Sequence, residues 1–108
     1  MELRRSDRDD RVLELVLRNE RSRNSLTGPM MCQLHDIVLE LTCPSFKQYQ
    51  GCCALILRGE GSTFCSGADF HLAAKIASPA QGLLMADLMT TTLTRLRCVL
   101  WVLGFACV

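Results

Sequence analysis

Charge of either sign is missing here as a bulk property. Twelve Lys and Arg stand against eleven Asp and Glu, a formal net charge of +1. That removes the whole-chain case for nucleic acid or an anionic membrane as partner. Nor is any apolar stretch long enough to cross a bilayer as a helix, which takes about 20 residues. The longest, Cys98 to Val108, has eleven and is broken only by Gly104. No secretory leader is visible, and the N-terminus is too acidic for a mitochondrial presequence. The seven cysteines include no C-x-x-C pair, and no His stands at zinc spacing, so no metal is expected. Most of these cysteines sit inside apolar runs, where a free thiol behaves as a small hydrophobe. Reduced thiols and a cytosolic (cytoplasmic) setting follow. There is no repeat and no low-complexity tract.

What is present divides the chain in three. Residues 1–11 are polar and aperiodic, with Arg4, Arg5, Arg8 and Arg11 interleaved by Asp7, Asp9 and Asp10. They read as a solvated tail. Residues 12–97 carry the periodic segments. Leu13, Leu15 and Leu17 alternate, predicting a strand with one buried face. Thr27 and Pro29 open a helix, along which Met30, Met31, Leu34, Ile37, Val38 and Leu41 recur at helical spacing until Cys43-Pro44-Ser45. Cys52 to Leu57 has no alternation, as in a strand covered on both faces. Strand, helix and strand of these lengths form a βαβ unit. A short helix from Asp69 and a longer one over 79–97 follow, the latter weakened by Gly82 and three successive threonines. Residues 98–108 read as an apolar tail, a buried strand cut short.

Between the second strand and the short helix lies Gly59-Glu60-Gly61-Ser62-Thr63-Phe64-Cys65-Ser66-Gly67-Ala68-Asp69-Phe70. Its glycines permit tight turns, and Ala68 falls where a backbone N–H at a helix start points outward. Such a place suits an anion or an oxygen that becomes one. Other readings of this stretch fail. A nucleophile elbow needs Gly two residues before Ser66, where Phe64 stands. Cys65 has no neighbour in sequence to lower its pKa. Gly59, Gly61 and Gly67 lack the spacing of a dinucleotide fingerprint. Asp69 in a first helical turn reads as a residue stabilised by the helix dipole rather than as an acid or base. His71 is either a surface histidine or a partner for a phosphate or carboxylate. His35 has no assigned role.

Phe64-Cys65-Ser66-Gly67-Ala68-Asp69-Phe70 resembles the F-x-x-G-x-D-hydrophobic signature of the enoyl-CoA hydratase/isomerase (crotonase) family. Arg23-Asn24-Ser25-Leu26 resembles that family's early N-A-L turn, and Cys53 to Gly59 agrees in order and spacing. The resemblance spans residues 12–96. It implies an α/β, crotonase-like (ββα-type) fold, present as an incomplete N-terminal portion. It implies an acyl-CoA substrate with no separate cofactor, and the Ala68 N–H as one donor of an oxyanion hole. Ser22, Arg23, Ser25, Ser66, Ala68, Asp69, Phe70 and His71 are then the substrate- and CoA-binding set. Arg21 and Arg23 are suited to phosphates, although a solvated basic turn explains them equally well. Within the family, Asn24 to Met31 and Thr90 to Arg95 are closest to a lyase branch that decarboxylates malonyl-type (ethylmalonyl or methylmalonyl) CoA. Hydration or isomerisation of an enoyl-CoA is the alternative.

After Arg95 the chain departs from the family pattern. The Gly-rich turn that supplies a second oxyanion donor is replaced by the apolar tail. The carboxylates after Gly67 are Asp69 and Asp87 alone. These features predict a truncated form that is inactive alone. Its rival role is non-catalytic: it binds CoA, or joins full-length subunits in a homo- or mixed oligomer.

Overall fold

Leu13 and Leu15 are fully buried and Leu17 nearly so, all on one face of a strand that becomes the centre of the sheet. The computed structural model describes residues 1–43 and 48–102. Its elements are β1 (Glu2–Arg5), β2 (Val12–Leu17), α1 (Gly28–Thr42), β3 (Ala54–Gly59), α2 (Phe70–Ala74) and α3 (Pro79–Val102). The sheet order is β1-β2-β3, with β1 antiparallel and β3 parallel to β2. The βαβ unit read from the sequence is therefore β2-α1-β3.

The register explains the core. Leu3, Leu15 and Leu57 lie in one row and Leu13 and Leu55 in another. These leucines pack with Leu34, Val38 and Leu41 of α1 and Val99 of α3. Thr27 caps α1, its hydroxyl accepting the Met30 N–H at 3.3 Å. The helix ends at Thr42, with the Cys43 N–H donating to the Glu40 carbonyl. The Pro44-Ser45 part of the expected stop lies outside the described residues, as does the start of the connector that follows.

Four expectations are corrected. Residues 1–11 do not form only a tail, because Glu2–Arg5 is a strand. Its single apolar residue, Leu3, packs against the core, and Arg4 donates to Glu14 Oε2 from both Nε (3.2 Å) and Nη2 (3.0 Å). Second, β3 is not covered on both faces. It is the last strand of the sheet among the described residues, and Ile56 is 46% exposed. Third, Cys98–Val102 continue α3 as helix rather than starting a strand, and Val99 is fully buried. The rest of that apolar tail, 103–108, lies outside the described residues. Fourth, His35 has a role. Its Nδ1 lies 3.1 Å from the buried Thr92 Oγ1, which donates its own proton to the Leu88 carbonyl at 2.7 Å. The hydroxyl and the imidazole nitrogen share this hydrogen bond. This bond joins α1 to α3 and satisfies the threonine that weakened the helix on paper.

Cys32, Cys52, Cys53, Cys65 and Cys98 are free thiols. Cys52 is buried and Cys53 exposed, so only the first of the pair packs in the core. Burial pushes the Cys52 thiol up, with Arg5 opposing. No helix among the described residues is long and apolar enough to cross a membrane.

Candidate functional site

Two segments far apart in sequence meet at the C-terminal end of β2 and β3. The first is the turn 19–26, which passes through a single 3-10 turn, Glu20–Ser22. Arg23 and Asn24 leave it in the left-handed region, with φ of 51° and 56°. The second is the loop 60–69. Ser66 N–H donates to Arg23 O at 3.0 Å, Leu26 N–H to Gly67 O at 2.8 Å, and Asp69 N–H to Leu26 O at 2.9 Å. The result is a short parallel ribbon centred on the bridge between Leu26 and Ala68.

This ribbon fixes the direction of the Ala68 amide. Leu26 bonds the residues on either side of Ala68, so the Ala68 N–H, alternating with them, faces away from the turn. Among the described residues it meets no backbone or side-chain acceptor. Ala68 itself is exposed. Gly67, at φ +106°, allows the turn just before it; a side chain there has space but the wrong backbone. At Gly59 the restriction is steric: an added Cβ would stand 2.1 Å from Thr63 O and 2.6 Å from Asn24 Nδ2. The close approach expected of these glycines is thus, at Gly59, to the protein's own loop.

The remaining sequence-predicted residues fall into two groups. Ser25 and Asp69 turn inward. The Ser25 hydroxyl, 5% exposed, donates to Asp69 Oδ2 at 3.3 Å and accepts from Asn19 Nδ2 at 3.3 Å. Asp69 Oδ1 accepts the Leu72 N–H at 3.2 Å, making Asp69 the N-cap of α2. Ser22, Arg23, Ser66, Phe70 and His71 are exposed. The Ser66 hydroxyl donates to Ser22 O at 3.1 Å. Phe70 is 79% exposed, with its ring edge-on to His71 at 6.1 Å. The turn and the loop therefore bring Ser22, Arg23, Ser25, Ser66, Ala68 and Asp69 together, with Phe70 and His71 beside them at the start of α2.

Sequence reasoning passed over the side chain of Asn24 as a site element. It is fully buried; Oδ1 accepts the Asn19 N–H at 2.9 Å, and Nδ2 donates to Glu60 O at 2.9 Å and Thr63 O at 2.7 Å. An asparagine inside the N-A-L-like turn was the only available signal. Elsewhere, an apolar groove of about 250 Å³ lies between β3 and α3, lined by Leu55, Leu57, Leu93, Leu96 and Arg97.

No family model matches the chain. Solved structures with the same fold do. It superposes on Pseudomonas aeruginosa AtuE with a TM-score of 0.69 at 22% identity, over 82% of this chain and 33% of that one. For an enoyl-CoA hydratase from Bacillus anthracis the TM-score is 0.66 at 26% identity, over 79% and 31%. The chain thus holds part of the enoyl-CoA hydratase/isomerase (crotonase) fold. The sequence is similar to ethylmalonyl-CoA decarboxylases. The Xenopus laevis protein is 36% identical over 92 residues, and the Gallus gallus protein 42% over 82. The chain spans 29% of the length of the first and 26% of the second.

Proposed function

We propose that this chain binds a malonyl-type acyl-CoA and holds the thioester oxygen with the Ala68 N–H. The observation that carries this reading is the unpaired, outward direction of that amide. In decarboxylation the bond from the α-carbon to the carboxylate breaks, and carbon dioxide leaves. The electron pair stays on the α-carbon and spreads to the thioester oxygen as an enolate, which a proton then quenches at carbon. No base is needed to remove an α-proton, so the weight of the chemistry falls on donors at that oxygen. Losing one such donor typically raises the barrier by about 2.7–4 kcal/mol. The similarity to ethylmalonyl-CoA decarboxylases favours this branch over hydration or isomerisation.

The chain alone is a binder rather than a catalyst. Of the two carboxylates among the described residues after Gly67, Asp69 is engaged by Leu72 and Ser25, which leaves Asp87. Titration of the ¹⁵N-labelled chain with ethylmalonyl-CoA tests the reading. The Ala68 amide resonance is expected to shift, and the Ala68→Pro chain, lacking that donor, to bind more weakly. An Ala68 resonance unmoved at saturation overturns it. Measurable release of carbon dioxide by the chain would overturn the binder-only part.

A further inference from the structure

We infer that Asn24 is a positioning residue that aims the Ala68 N–H by tying the near end of the 60–69 loop to the turn whose backbone holds its far end. The inference rests on the oxyanion reading of Ala68 for its functional meaning, though not for its geometry. Asn24 is fully buried and cannot touch a ligand, so its effect on the site is indirect. Its carboxamide satisfies three partners: Asn19 N–H on one side, and the Glu60 and Thr63 carbonyls on the other. The assignment of its two ends is fixed by chemistry, since an N–H meets Oδ1 and two carbonyls meet Nδ2. The near end of the loop is thus held by the Asn24 side chain. The far end is held by the backbone of its neighbours, Arg23 and Leu26. The left-handed backbone at Asn24 turns its carboxamide toward the loop while the chain runs on to Leu26, and Asn tolerates that region better than most residues.

Releasing the near end leaves the far ribbon, and with it the direction of Ala68, held by three backbone bonds and by the Ser66–Ser22 and Ser25–Asp69 side-chain bonds, at the edge of solvent. Two variants separate side chain from backbone. Asn24→Gly keeps the left-handed turn without strain and removes the clamp. Asn24→Asp keeps the acceptor toward Asn19 but sets a carboxylate oxygen against two carbonyls. Amide hydrogen exchange of the full chain, without ligand, reads the outcome. The Leu26 and Asp69 amides, which bracket Ala68, are expected to exchange about tenfold faster or more in Asn24→Gly, and faster still in Asn24→Asp. Leu34 and Val38 in α1 are expected to keep their rates. Unchanged rates at Leu26 and Asp69 would overturn the inference. So would an equal acceleration at all four, or failure of both variants to fold, since either marks Asn24 as a general stabiliser. A failed acyl-CoA titration would sink the oxyanion reading and leave this exchange result standing on its own.

Discussion

The two outer strands of the sheet are finished differently. β1 presents Glu2, Arg4 and Arg5, with Arg4 paired to Glu14 and Arg18 paired to Glu2. Charged side chains on an edge discourage another strand from adding to it. β3 carries only Arg58 as a charge, 3.6 Å from the same Glu14, while Ile56 is exposed and an apolar groove lies alongside. One edge is closed by ion pairs, and the other shows apolar surface of the kind proteins usually cover. The relatives, at about three times this length, have chain with which to cover it. The lesson is that the described residues build a site geometry at the C-terminal end of β3 and leave an apolar surface open alongside it.

The largest test acts on the strand shared by both edges. Leu15→Ala removes a fully buried side chain between Leu3 and Leu57 and is expected to cost about 2–5 kcal/mol in urea unfolding. In so small a domain, that abolishes the difference between the edges by unfolding both. Next, Glu14→Ala leaves Arg4 and Arg58 facing each other without their shared carboxylate. A loss of about 1 kcal/mol is expected, smaller at high salt. Ile56→Lys gives β3 the kind of charge β1 already has. Stability should change by no more than about 0.5 kcal/mol, while light scattering at high concentration shows less self-association. The smallest effect concerns Asp9, whose carboxyl the Arg11 side chain holds below the ordinary carboxylate range. A lowered folded pKa adds stability above the unfolded value, and that stability is lost as pH falls through the folded one. The difference between the natural chain and Asp9→Asn should therefore vanish in acid and be largest near neutrality, measured by urea unfolding across pH.

Sequence reading reached β2, α1 and β3 because each carries its own local signal. These are alternation at Leu13 and Leu15, helical spacing after the Thr27 cap, and an unbroken apolar run. It singled out Ala68 through a motif contiguous in the chain. It missed β1 because one leucine among arginines has no period; what pairs the strand is Glu14, ten residues away. It read Cys98–Val102 as strand because a short apolar run fits either structure until length and neighbours decide. The His35–Thr92 bond spans 57 residues, and the Asn24 bonds span 36 and 39, distances over which no local pattern speaks.

Those last separations also set an order of events in folding. Nothing local holds Asn24 against Glu60 and Thr63; the chain between them is α1, its connector and β3. The entropy of closing that segment is lost before the clamp returns any enthalpy. The ribbon at Ala68 therefore forms only after β2 and β3 have paired across α1. An ordered Ala68 amide is then a report that the crossover is complete.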